Sequence, residues 1–321
     1  MRVVYLDEAG PEMQRLLEAH RPEGVDLGFY SSAEGEVERR SMLQGAHCLL
    51  TATHRVDAEL WDDAPDLRLI QKTGTGTDNI DVEAAASRRV PVSNTAGANA
   101  TGVAELTMLF ALALYRRLLE LDAGTKRGEW PMWTYRHRSF ELSGKTHGVV
   151  GFGAIGQGVA RRSRAFGTEI FYHDAVARPE AEHELGARRA AALPELLSAS
   201  DVVSLHVPLL EETRALVGEA ELRQMKPEAL LINVSRGGVV DEAALLAALE
   251  AGEIAGAALD VWEREPVAPE DPLLGLSNLI STPHIGAGTR DTLERVLAMA
   301  FENISRLRSG EKPRLVVNGV S

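Results

Sequence analysis

Three polar side chains follow apolar runs in the second half of the sequence: Arg236 after ALLINVS, Glu265 closing GAALDVWERE, and His284 after NLISTP. In an open α/β sheet the carboxyl ends of the strands face the ligand crevice, so a cation, a carboxylate and an imidazole at three such ends can converge on one small molecule. Arginine can hold a carboxylate in two parallel hydrogen bonds, which lysine cannot do. Histidine titrates near neutral pH and can pass a proton to a carbonyl oxygen, and a neighbouring carboxylate favours the imidazolium and fixes the ring. A hydride-transfer enzyme acting on a 2-keto acid would need all three, with the hydride supplied by a cofactor. Each residue also has a plainer reading: Arg236 as a turn residue before Gly237-Gly238, Glu265 as part of the charged run EREP, and His284 as the cap of a loop.

The hydride donor has its own signal. HGVVGFGAIGQGVARRSRAFG reads as a strand, then Gly151, Gly153 and Gly156 in the spacing G-x-G-x-x-G, then a helix. The first glycine makes the tight turn, the second lets the backbone approach a pyrophosphate, and the third allows close helix–strand packing, while the helix start offers unpaired N–H groups to the anion. The next strand, EIFYHD, ends in Asp174 about twenty residues on, where a carboxylate accepts the hydroxyls of an adenosine ribose. Its charge disfavours a 2′-phosphate, which points to NAD rather than NADP, although Arg178 is close enough to modify that preference. GTGTDN, with Gly74 and Gly76, lacks the third glycine and reads as a tight loop at the edge of an earlier sheet.

Short β-rich runs alternate with amphipathic stretches almost throughout, the pattern of parallel α/β folds. The first hundred residues predict strands at Arg2–Leu6, Val25–Phe29, Ala46–Leu50, Leu67–Gln71 and Val90–Ser93, separated by helices near Glu12–Ala19, Asp57–Trp61 and Val82–Arg88. A long helix is expected over Gly102–Leu121, then a projecting loop marked by Trp130, Pro131 and Trp133. A second βα series runs from Thr146 to about His284, with the continuous apolar strands expected of a sheet covered on both faces. A helix at about Arg290–Leu307 and a short strand at Arg314–Val317 close the chain.

Composition removes several classes of function. With 321 residues, two domains are expected. Hydrophobic residues make up 45% and charged residues 25%, and no apolar run approaches the ~20 residues of a membrane helix. The amino terminus does not read as a secretory signal. A net charge of −13 and the absence of basic runs argue against nucleic acid. The lone Cys48 lies in AHCLL and reads as a buried small hydrophobe in a chain suited to the cytoplasm. No His/Cys/carboxylate set has metal-ligand spacing. His206, in SLHVP, is expected to line the cofactor crevice, whereas His20, His47, His54, His137, His147, His173 and His183 show no partner pattern.

GVVGFGAIGQGVA, HVPL with Thr213, LINVSRGGVVDEAAL, AGAALDVWEREP and TPHIGAGT together resemble the D-2-hydroxyacid dehydrogenase family, over nearly the whole chain. The resemblance implies two Rossmann-like doubly wound parallel-sheet domains with a cleft between them: a discontinuous substrate domain, 1–97 and 289–321, and an NAD-binding domain, 98–288. It implies that Arg236 orients the substrate, and that Glu265 pairs with His284, the acid/base. It also implies cofactor contacts at Val103, Ala154, Ile155, Asp174, His206, Pro208, Thr213, Ser235 and Asp260, the last toward the nicotinamide amide. The loop KTGTGTDN looks like the family's substrate loop, with Lys72, Thr75 and Gly76 as substrate contacts. Lys72 stands where phosphoglycerate enzymes commonly have arginine, a departure from phosphate recognition. The residues around His284 and Thr75 differ from those expected for formate and phosphite. The aromatic loop Trp130–Tyr135 is similar to the arm by which family members form homodimers. A cofactor-sensing binding protein, like the corepressors of this superfamily, is the alternative from another class, and the intact Arg/Glu/His set speaks against it.

Overall fold

A computed structural model describes residues 1–31 and 36–320. The chain divides into two compact units, one made of Met1–Asn99 with Arg290–Ser321 and the other of Ala100–Thr289. In the first unit, strands β1 (Arg2–Tyr5), β2 (Asp26–Phe29), β3 (Cys48–Thr51), β4 (Leu69–Lys72) and β5 (Val92–Ser93) form a parallel sheet in the order β2-β1-β3-β4-β5. In the second, β6 (Thr146–Val150), β7 (Glu169–His173), β8 (Arg188–Arg189), β9 (Val202–Leu205), β10 (Leu230–Asn233), β11 (Gly256–Leu259) and β12 (Leu279–Ser281) form a parallel sheet in the order β12-β11-β10-β9-β6-β7-β8.

The strand composition fits sheets covered on both faces. Cys48–Thr51, Val202–Leu205 and Leu230–Asn233 are buried at every position, so both faces must be covered. Each sheet accordingly separates two apolar clusters. Val4, Leu49 and Ile70 pack on one face of the first sheet, and Val3, Leu50 and Leu69 join Leu297, Phe301 and Ile304 of the carboxyl-terminal helix on the other. Cys48 is fully buried in this second cluster, and burial pushes its thiol pKa up, which suits an inert core residue. In the larger sheet the strand order reverses at β6, which lies between β9 and β7. A crevice outside the carboxyl ends of the strands opens at such a reversal.

The structure departs from the sequence expectations at four places. The helix expected over Gly102–Leu121 is two helices, Ala100–Tyr115 and Leu118–Lys126. Arg117 breaks it with a left-handed backbone, φ 50°. Its guanidinium is held by Glu120 at 2.9 Å and lies over the Tyr135 ring at 5.4 Å, contacts between side chains that hydrophobic periodicity does not register. Arg314–Val317 forms one antiparallel bridge, Ser93 with Val316, rather than a strand. A helix at Glu36–Leu43 and the two-residue strand β8 had no clear apolar pattern. Among the described residues no helix is long and apolar enough to cross a membrane.

Candidate active site

The second unit brings the glycine turn and the Arg/Glu/His set to the carboxyl edge of one sheet. Gly151 follows β6 with φ 89°, and a Cβ there would stand 2.7 Å from the carbonyl carbon of His206. Gly156 has no room for a side chain, because an added Cβ would meet the Gly151 carbonyl oxygen at 2.1 Å. Gly153 differs: it caps the helix Ala154–Ala165, and a Cβ there would meet nothing within 4 Å. The turn therefore needs its first and third glycines for the fold itself. The open space at the second, in front of the unpaired N–H groups of a twelve-residue helix, fits a dinucleotide pyrophosphate.

Asp174 follows β7 and accepts hydrogen bonds from the Phe152 N–H at 2.6 Å and the Val176 N–H at 2.8 Å. It thus ties the strand end to the glycine turn, and its lone pairs exceed these two bonds. Ala154 is exposed at the helix start, and Ile155 packs partly against the core. Thr213 donates to the Pro208 carbonyl at 2.6 Å and accepts from the Leu210 N–H at 2.7 Å, so its hydroxyl shapes the loop after β9. His206 directly follows β9, with a buried Nδ1 that has no partner among the described residues.

The arginine loop is built by Asn233, the last residue of β10. Its carbonyl oxygen Oδ1 accepts from Ser235 N at 3.0 Å and Ser235 Oγ at 2.8 Å, while its Nδ2 donates to the Arg236 carbonyl at 2.9 Å. Gly237 then passes against the next strand end so closely that a Cβ would sit 1.9 Å from the Trp262 carbonyl carbon. That contact brings the loop bearing Arg236 against the one bearing Glu265.

Glu265 and His284 form a direct pair, Oε2 to Nδ1 at 2.8 Å. The other carboxylate oxygen of Glu265 accepts from the Trp262 N–H at 3.1 Å, and the Trp262 indole donates to the Thr282 carbonyl at 3.1 Å, so the acid is anchored on both sides of the pair. With Nδ1 directed at Glu265, Nε2 is the ring nitrogen left to exchange a proton with a ligand. His284 is 46% and Glu265 39% exposed at the side chain, so the pair is open to a small molecule. His284 holds φ 55°, an unusual conformation for a residue with a Cβ.

Asp260 holds that backbone in place. It is 1% exposed, and its Oδ1 accepts from Thr282 Oγ1 at 2.6 Å and Ile285 N at 2.8 Å, its Oδ2 from Gly286 N at 2.8 Å; its own carbonyl accepts from His284 N at 2.8 Å. Both carboxylate oxygens are thus engaged in shaping the His284 loop, on which the sequence gives no information. Val103 is 4% exposed and lies beside Gly286, which has no side chain to displace it.

In the first unit, Lys72 ends β4, and its ammonium donates to Asn79 Oδ1 at 2.7 Å and to the Ala52 carbonyl. Thr75 is exposed, with its carbonyl accepting from Asn94 Nδ2 at 2.8 Å, and Gly76 follows in the same loop. Asp7, which sequence reasoning passed over, clasps the neighbouring loop through Ala52 N at 2.5 Å, Thr53 N at 2.6 Å and His54 N at 2.9 Å. Among the described residues no group of three His, Cys, Asp or Glu stands ready to hold a metal.

The model of the D-isomer specific 2-hydroxyacid dehydrogenase NAD binding domain matches residues 108–286. The chain is 43% identical over 268 residues to a glyoxylate reductase of Korarchaeum cryptofilum, covering 83% of this chain and 80% of that one. It is 35% identical over 310 residues to a D-3-phosphoglycerate dehydrogenase of Archaeoglobus fulgidus, covering 97% of this chain and 58% of that one. Among solved structures it is similar to an NADPH-dependent glyoxylate/hydroxypyruvate reductase of Sinorhizobium meliloti, with a TM-score of 0.84 and 30% identity over 99% of this chain and 98% of that one.

Proposed function

The chain belongs to the D-isomer-specific 2-hydroxyacid dehydrogenase family, an NAD-dependent enzyme of 2-keto and 2-hydroxy acids, and from that premise we propose that it reduces a small 2-keto acid of the glyoxylate and hydroxypyruvate class. Bound NADH supplies the hydride. Arg236 holds the substrate carboxylate in two hydrogen bonds, which turns the keto carbon to a fixed face. His284 donates the proton on Nε2 to the carbonyl oxygen as it gains charge, and Glu265, through Nδ1, holds the ring at the angle this requires. The observation that carries the reading is the 2.8 Å His284–Glu265 pair, open to solvent and anchored on Trp262. Relatives named as glyoxylate reductases support the small substrate. Lys72 in place of arginine, with its ammonium already bonded to Asn79 and Ala52, supports a substrate without a phosphate.

The exposed apolar side chains Leu118, Leu119, Trp130, Met132 and Trp133 support a homodimer formed through this segment, since Trp130 is 80% and Trp133 65% exposed. A cytoplasmic setting is consistent with one buried, unpaired cysteine.

The experiment is NADH oxidation over a panel of glyoxylate, hydroxypyruvate, pyruvate, phenylpyruvate and phosphohydroxypyruvate. The expected result is highest kcat/KM on glyoxylate or hydroxypyruvate and at least about tenfold lower on phosphohydroxypyruvate, whose phosphate meets at position 72 an ammonium already bonded to Asn79 and Ala52 rather than the two-pronged hydrogen bonding of an arginine. Preference for the phosphorylated acid would overturn the substrate assignment.

A further inference from the structure

The larger sheet carries a buried polar chain that the chemistry above leaves unused. His206 Nε2 lies 2.8 Å from Ser204 Oγ, and the same hydroxyl lies 2.9 Å from His147 Nε2. His147 Nδ1 lies 2.9 Å from Ser163 Oγ, which lies 2.8 Å from Thr168 Oγ1. His147, Ser163 and Ser204 are 0% exposed. The chain runs from Thr168, just past the helix Ala154–Ala165, through Ser163 of that helix and across β6 and β9 to the strand end beside the glycine turn. It ends at His206 Nδ1, a buried nitrogen without a partner among the described residues.

Hydrogen counting couples the two rings. Burial lowers the pKa of His147 to about 4 and that of His206 to about 3, so at neutral pH both are uncharged and each carries one N–H. Ser204 has a single hydroxyl hydrogen and faces two ring nitrogens, so it donates to one and accepts from the other. If His147 carries its proton on Nδ1, Ser204 donates to His147, His206 is protonated on Nε2, and its Nδ1 is an acceptor. If His147 carries the proton on Nε2, each of these roles reverses and His206 Nδ1 is a donor. The character of the nitrogen at the end of the chain is therefore set two hydrogen bonds away, at His147 inside the sheet.

We infer that His147 is a positioning residue for the dinucleotide: through Ser204 it locks the ring and tautomer of His206, so that His206 Nδ1 meets the bound nucleotide as a hydrogen-bond partner of preset character. The inference rests on the reading that the glycine turn and His206 hold NAD. His147 is buried in β6 beside Gly148, Val149 and Val150, and what its ring adds over an apolar side chain at that position is the hydrogen-bonded chain.

The test is the NADH dissociation constant, followed by fluorescence, for Ser204→Ala, His147→Asn, His147→Gln and His206→Ala. An asparagine amide reproduces the Nδ1 position of histidine and a glutamine amide the Nε2 position, so only the glutamine can still meet Ser204. Ser204→Ala and His147→Asn are expected to weaken NADH by about 3- to 10-fold, the value of one hydrogen bond, and His147→Gln to restore it to within about twofold of wild type. The loss should appear in the KM for NADH rather than in kcat. Wild-type affinity in Ser204→Ala and His147→Asn, with His206→Ala weakened, overturns the inference alone. Wild-type affinity in His206→Ala overturns the cofactor reading and the inference with it. Should the variants not fold, 15N resonances of the histidine rings in the wild-type protein decide: opposite tautomers for His147 and His206, with His206 Nδ1 shifting on addition of NADH, support the inference, and equal tautomers overturn it.

Discussion

His284→Ala is expected to lower kcat for reduction of the best keto acid by about 10²–10⁴, the usual contribution of a positioned general acid, while the dissociation constant for NADH stays within about twofold. The split follows from placement. The pyrophosphate is assigned to the helix Ala154–Ala165, whereas the imidazole stands beyond β12 and is tied to Glu265 at 2.8 Å. Removing the ring leaves Asp260 still holding the loop through main-chain N–H groups at Ile285 and Gly286, so the backbone that carries the alanine keeps its support. The keto-acid KM is expected to change less than kcat, because Arg236 rather than His284 is assigned to the carboxylate. Steady-state and single-turnover NADH oxidation measure both quantities. Turnover within tenfold of wild type would remove the proposed acid.

The second large effect is on stability at acid pH. His147 is wholly buried, and its pKa is lowered by burial to about 4, while an unfolded histidine titrates near 6.5. Between these values the unfolded chain binds a proton that the folded chain refuses, so stability is lost as the pH falls from about 6.5 to about 4 and is fully retained above that window. The slope from this residue is about 1.4 kcal/mol per pH unit, or about 2 kcal/mol between pH 7 and pH 4.5. His206, lowered to about 3, adds a loss of the same sign. Urea unfolding of wild type and His147→Leu at the two pH values isolates the term. The variant is expected to lose about 2 kcal/mol less than wild type on acidification, and an equal loss in the two proteins would contradict it.

How much of this was legible in the sequence depends on the range of the interaction involved. The glycine turn was legible because its determinants are local: Gly151 needs a positive φ, and Gly156 meets a carbonyl five residues away. The alternating strands were legible because burial on both faces demands apolar runs such as those of β9 and β10. Arg236, Glu265 and His284 stood out because each follows a strand, and strand ends share an edge. The break at Arg117 was hidden, since a guanidinium taken up by Glu120 and Tyr135 leaves the apolar period on either side intact. The short bridge at Val316 carries too few residues for a period. Nor could the sequence show what His147 does: its partners Ser163 and Ser204 lie 16 and 57 residues away and meet it only across a helix and two strands. The same holds for Asp260, whose carboxylate is engaged by residues more than twenty positions downstream.

A double-variant cycle on Glu265 and His284, read as the rate of hydride transfer in a single turnover, tests most directly whether the pair acts as one proton-transferring unit. Glu265→Gln and His284→Ala should each slow the step, and the double variant should be no slower than His284→Ala alone, because without the ring the carboxylate has nothing left to orient. A double variant slowed by the product of the two single effects would mean that the two residues act separately, and the account of the site would fail.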